Sequence, residues 1–219
     1  MRSFPNSFVE QVTPLEPTLD DRGNDALKRL HERGFVVAAG LSRYFAGAVG
    51  VMGQQEHIRE YCPKDPTPAR FATEASTAKW LQKGGGRAVF LLLENVFDKG
   101  EEAGQKLGGY GWTGYEPCKE LPDHPITSAY RLDEHSLGKG LAGDFIQTVV
   151  SGTHALYAPD DGIGLETWNS NHAAALYQKL GFELLAQKDD PRPTLAPAAE
   201  NGEVEDTRLY MGYPQSLFD

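Results

Sequence analysis

The chain has 219 residues, 40% of them apolar and 24% charged, and a formal net charge of −10. This length suits one domain with extensions and buries a core without staples, while the acidic balance disfavours nucleic acid as a partner, because binding phosphates needs a basic face that releases counterions. No apolar run reaches the ~20 residues that span a bilayer, and the N-terminal MRSFPNSFVEQ carries no apolar signal core, so a cytoplasmic protein with no membrane partner is the expectation.

Phe8–Val12 is a short apolar stretch that reads as a strand. Asp20 and Asp21 precede a helical pattern with Ala26, Leu27 and Leu30 on one face, and Gly34 supplies its stop. Residues 35–52 are apolar with small residues interspersed, a pattern that fits a helix or a strand. The prolines of residues 62–70 remove donors and fix φ, which predicts a loop. Ser76–Lys83 predicts a short helix ended by Gly84, Gly85 and Gly86.

Arg87–Glu94 (RAVFLLLE) predicts a buried strand, and Asn95–Lys106 a polar connection. Gly108–Tyr115 predicts the next strand, antiparallel to the first if the connection is a hairpin. Its Tyr110, Trp112 and Tyr115 suit either sheet core or the wall of a pocket. Ile126–Leu132 is a third strand, followed by a glycine-rich turn at 138–143. Leu141, Phe145, Ile146, Val149 and Val150 then form one helical stripe. Gly162–Trp168 predicts a strand, Asn171–Leu180 a helix stopped by Gly181, and Phe182–Gln187 a strand. Residues 189–206 read as a Pro-rich acidic loop, and Thr207–Tyr213 as the last strand. An N-terminal helical region followed by β-β-β-α-β-α-β-β predicts an α/β fold: a central mixed twisted sheet flanked by helices.

Cys62 and Cys118 lie in no CxxC and no Cys/His cluster, which predicts free thiols. His31, His57 and His124 lack ligand spacing, and His154 and His172 read as surface or helix-edge residues, so no metal is expected.

The segment from Leu132 to Gly143 (LDEHSLGKGLAG) carries the most chemistry. A strand ends, glycines let the main chain turn, and a helix begins whose first amides have no partners within it. Such a turn holds a phosphate, or it is a tight connection with no ligand. Gly138, Gly140 and Gly143 also satisfy the dinucleotide pattern G-x-G-x-x-G. That pattern follows its strand at once, whereas five residues separate Leu132 from Gly138.

The string Leu137-Gly138-Lys139-Gly140-Leu141-Ala142 resembles the coenzyme A pyrophosphate loop of the GNAT acetyltransferases, Q/R-x-x-G-x-G/A. Gly140 and Ala142 take the glycine positions, and Leu132 stands where that family closes its fourth strand. Leu137 departs from the usual Gln or Arg, which a site built on main-chain amides tolerates. Asn171 to Glu183 (NHAAALYQKLGFE) is similar to the family's N-x-x-A-x-x-L-Y-x-K-x-G-F signature. Asn171 is one residue nearer Tyr177 than usual, and Ser170 holds the strict position, so either contacts the pantetheine arm.

The resemblance spans 87–213 and implies one GNAT-like domain over 1–219, with an acetyl-CoA core at 87–213 and an acceptor-side region at 1–86. It implies an N-acetyltransferase that moves an acetyl group from acetyl-CoA directly to a primary amine in a ternary complex. The amine is a small molecule or a peptide, the protein a monomer or homodimer, and an acidic surface attracts a cationic acceptor. Leu132, Leu137, Gly138, Lys139, Gly140, Leu141, Ala142, Gly143, Asn171, Ala173 and Tyr177 would hold the cosubstrate, with His135 flanking its phosphates. Strands 126–132 and 162–168 would splay to admit the arm, and an amide of the first would polarise the carbonyl. Tyr177 would protonate the leaving thiolate, although a lone tyrosine more often packs in a core. The base would be one of Glu94, Asp133, Glu134 and Glu166, with Glu166 first for its place on the strand after the cofactor helix. A non-catalytic acyl-CoA-binding module fits the same loop.

Overall fold

The computed structural model describes residues 8–16, 19–98, 101–157, 161–193 and 203–213. The N-terminal region holds β1 (Thr13–Pro14), α1 (Asp21–Glu32), β2 (Phe35–Ala39), α2 (Arg43–Met52), α3 (Glu56–Tyr61), α4 (Thr67–Arg70) and α5 (Glu74–Leu81). After it come β3 (Arg87–Asp98), β4 (Glu101–Tyr115), β5 (Ile126–Leu132), α6 (Ala142–His154), β6 (Ile163–Trp168) and α7 (Ala173–Lys179). The chain closes with β7 (Glu183–Asp189), β8 (Arg192–Pro193), β9 (Glu203–Val204) and β10 (Thr207–Tyr213). Eight strands form one sheet in the order β1-β2-β3-β4-β5-β6-β10-β7. Among them only β5 and β6 pair in parallel, so the sheet is mixed and helices cover both faces.

Local chemistry sets the boundaries. Asp20 caps α1 by accepting from the Gly23 amide at 2.6 Å, and Gly34 leaves the helix at φ 82°. The ambiguous run 35–52 is both strand and helix. Gly40, at φ 100°, breaks it, and Ser42 caps α2 by accepting from the Phe45 amide. A Thr73/Ser76 capping box starts α5 two residues before the predicted helix.

Four expectations need correction. The first strand forms at Thr13–Pro14 rather than Phe8–Val12, because it pairs with Ala38 and Ala39 there. Residues 62–70 contain a helical turn, α4, whose proline sits in the first turn, where its missing N–H costs nothing. The polar stretch 95–106 is largely paired sheet: Glu94 opposes Lys106 and Asn95 opposes Gln105, and the Gln105 amide donates to Asn95 at 3.1 Å. Cross-strand pairing, not apolar content, makes this stretch a ladder rather than a loop. Within 189–206, β8 and β9 pair antiparallel; residues 194–202 lie outside the described residues.

Two apolar layers sandwich the sheet. Ala88, Phe90 and Leu92 of β3 pack with α1 and α6 on one side. Val89, Leu91 and Leu93 pack with α2 and α5 on the other, joined by Tyr110 and Trp112. This two-sided burial explains the unbroken apolar run of β3. Tyr110 and Trp112 are therefore core, whereas Tyr115 is 40% exposed. In the second layer Arg87 lies between the rings of Trp80 and Trp112, at 4.7 and 4.5 Å, and pairs with Glu116.

His154 at the end of α6 packs on Tyr213, with ring centroids 5.8 Å apart. Burial lowers its pKa below the ordinary 6.5, with Asp20 opposing the shift. The neutral ring is thus favoured in the folded state. Its stabilising contribution is complete above pH 6.5 and is lost as pH falls below that value. We expect the thermal midpoint to drop between pH 7 and pH 5, and His154→Gln to flatten that slope.

Candidate active site

β5 and β6 share only two register pairs, Ile126 with Ile163 and Thr127 with Gly164. Beyond them the strands part, and a cleft of about 720 Å³ opens in the gap. Strand alternation divides its lining. On the α6/α7 side lie Tyr130, Leu132, Leu137, Ala142, Ala173 and Tyr177. On the other side lie Arg131, Glu166, Trp168 and Arg208, walled by His57, Tyr61 and Cys62. The cleft therefore runs through the sheet from one face to the other.

The glycine turn stands at its first end. None of the amides of residues 138–144 donates to a described residue; the first helical bond is Phe145 N–H to Leu141 at 2.9 Å. Gly138 and Gly140 have φ of 71° and 65°. A Cβ on either would meet nothing within 4 Å, so their requirement is conformational. Gly143 has no positive φ, and a Cβ there would make ordinary contacts with Leu176 and Leu180 at 3.7 and 3.9 Å. The third glycine of a dinucleotide pattern is thus not sterically required. Arg33, at the end of α1, donates to the carbonyls of Lys139 and Gly140. It braces the loop and adds a cation beside the free amides. Leu141 is fully buried and anchors the turn to the core.

Lys139 does not line the cleft. Its Nζ lies 3.3 Å from Glu94 and 5.6 Å from the centre of the Phe35 ring. His135 pairs with Asp133 and lies 3.3 Å from Glu94. Asn171 lines the cleft and accepts the Ala173 amide at 2.9 Å, which orders the start of α7. Ser170 is instead tied to Asp206.

Tyr177 is 8% exposed, and its ring lies 6.1 Å from that of Tyr130. Burial pushes its pKa up to about 12, so it is a protonated phenol at neutral pH. The Tyr130 hydroxyl is buried with no partner among the described residues. The Asp133 amide bonds to Gly108 of β4. By alternation the Tyr130 and Leu132 amides point the other way, into the gap. The carbonyls on that side are already engaged: Leu132 by His57 Nε2 at 3.0 Å, Tyr130 by Arg131 at 2.9 Å. Of the main-chain groups of Tyr130 and Leu132 that face the gap, the amides are the ones left to meet a ligand.

Of the four carboxylates considered as a base, Glu166 alone lines the cleft. It bonds to Arg208 at 3.1 Å. Asp133 is held below the usual carboxylate range: burial works against this, but hydrogen bonds from Gln55 and His135 prevail. The sequence reading placed none of His57, Tyr61, Cys62, Arg131 and Arg208 in a site. Alternation in β5 could have placed Arg131; nothing local marks α3 as a cleft wall. Among the described residues no group of three His, Cys, Asp or Glu could hold a metal, and no helix is long and apolar enough to cross a membrane.

No family model matches the sequence, and no curated protein does either. Solved structures match in fold. A ribosomal-protein-S5-alanine acetyltransferase from Vibrio fischeri aligns at TM-score 0.60 and 16% identity, over 85% of this chain and 96% of that one. A spermidine N-acetyltransferase chimera from Vibrio cholerae aligns at 0.55 and 16%, over 81% and 94%. AAC(6')-Ib, solved with paromomycin and acetyl-CoA, aligns at 0.55 and 17%, over 82% and 93%. The chain has the GNAT acetyltransferase fold.

Proposed function

We propose, from that fold and the cleft that crosses it, that the chain is an acetyl-CoA-dependent N-acetyltransferase acting on a primary amine. The observation that carries this is the row of amides at 138–144 with no partner among the described residues, at one end of a cleft that also contains the Tyr177 phenol. An anion with several oxygens satisfies those amides, and the start of α6 favours its charge. A diphosphate fits, and Leu137, Ala142, Asn171 and Ala173 line the way from there to Tyr177. The solved relative with acetyl-CoA bound supports this choice of ligand.

Acetyl-CoA supplies the acetyl group as a thioester. The chain's own groups then divide the work. The Tyr130 and Leu132 amides face the gap and are suited to hold a carbonyl oxygen. Tyr177 keeps its proton at neutral pH and can give it to the departing sulfur. Glu166, on the opposite side of the sheet, is placed to take the proton of an amine. His57 and Tyr61 wall that side, which gives the 1–86 region the acceptor's entrance.

Release of free thiol from acetyl-CoA, measured against a panel of amines, tests this reading. Amine-dependent release is expected, and Glu166→Gln should lower kcat by about ten- to a hundredfold at neutral pH. Binding of acetyl-CoA without release for any amine would favour a non-catalytic acyl-CoA module.

A further inference from the structure

The acceptor side of the cleft has an uneven charge pattern that runs against the acidic molecule around it. Arg131 projects there from β5, one residue from both amides that face the gap. Asp65, its side chain 2% exposed, lies 3.4 Å from its Nε, and the other Asp65 oxygen is spent on the Thr67 amide at 2.7 Å. One terminal nitrogen of Arg131 donates to the Tyr130 carbonyl. The second has no partner among the described residues, and the side chain is 31% exposed. A buried carboxylate and a main-chain oxygen thus fix the guanidinium and leave one edge free in the cleft. A fixed, half-spent guanidinium of this kind suits a carboxylate.

The other charges nearby complete the pattern. Arg208 is shared between Glu166 at 3.1 Å and Asp190 at 3.0 Å. Glu60 and Lys64 also line this side, both exposed. The free edge of Arg131 lies on the same sheet face as Glu166, the group placed to take the amine proton.

We infer that the acceptor is a zwitterion: a small primary amine carrying a carboxylate a few bonds away, the acid on Arg131 and the amine toward Glu166. This rests on the acetyl-transfer reading and narrows it. It also departs from the net cationic acceptor that the net charge of −10 suggests.

The test uses the full chain, acetyl-CoA and matched acceptors: an α-amino acid, its carboxamide, its decarboxylated amine, the corresponding aminoalkyl phosphonate, and spermidine as a polycation. The amino acid should exceed the decarboxylated amine and the amide by about ten- to a hundredfold in kcat/KM, the scale of a charged hydrogen bond. Arg131→Gln should bring them near parity, mostly through KM, and Arg131→Lys should restore part of the preference. Arg131→Gln leaves Asp65 unpaired and can weaken the fold, so Lys64→Gln at the exposed rim is the second variant. It should weaken the amino acid more than the decarboxylated amine. A phosphonate that outperforms the amino acid overturns the carboxylate assignment. Equal or better turnover of the decarboxylated amine or spermidine overturns the zwitterion while acetyl transfer stands. Absence of thiol release with every amine overturns both.

Discussion

Tyr177→Phe should bind acetyl-CoA as the parent does and lose about a hundred- to a thousandfold in kcat with any accepted amine. The ring fills a buried position beside Tyr130 and Phe182, and phenylalanine keeps that packing. The hydroxyl makes no hydrogen bond to another described residue, so stability should change little. What is lost is the phenol's proton, which burial holds more tightly by raising its pKa to about 12. Steady-state kinetics beside a binding titration separates the two effects. Unchanged kcat would remove Tyr177 from the chemistry and return it to the core.

Gly140→Asp should weaken acetyl-CoA binding by about a hundredfold or more. Two causes add. The backbone there has φ of 65°, where a residue with a Cβ is strained by roughly 1 kcal/mol. The new carboxylate also competes with the diphosphate for the free amides. Gly143→Ala makes the contrast. It keeps the N–H, meets only ordinary contacts, and replaces glycine inside α6 at a gain of about 0.5–1 kcal/mol. Equal damage from both substitutions would mean that the loop is sensitive to any added bulk and that its conformation holds nothing.

Much of the core and of the glycine-turn end of the cleft was legible because both depend on local signals. An unbroken apolar run marked β3, and glycines marked the turn before α6. The signature around Tyr177 pointed to a helix beside that turn, and Tyr177 and Ala142 do share one cleft. Sequence reasoning fell short where tertiary contact decides. The extension of β3 and β4 through polar residues depends on cross-strand pairing. Run 35–52 needed Gly40 and Ser42 to divide it, and periodicity carries no such boundary. Lys139 reads as a phosphate ligand from its neighbours in the chain, yet its side chain turns to Glu94. Arg33 was invisible for the opposite reason: it braces the same loop from more than a hundred residues away.

Calorimetric titration with acetyl-CoA and with acetyl-pantetheine, which has the same thioester and no diphosphate, goes to the root of the account. Binding by the main-chain nitrogens of 138–144 predicts firm association with the first and at least about a hundredfold weaker association with the second, the scale of losing more than one charge-assisted bond. Equal affinity for the two, or no heat with either, would contradict it.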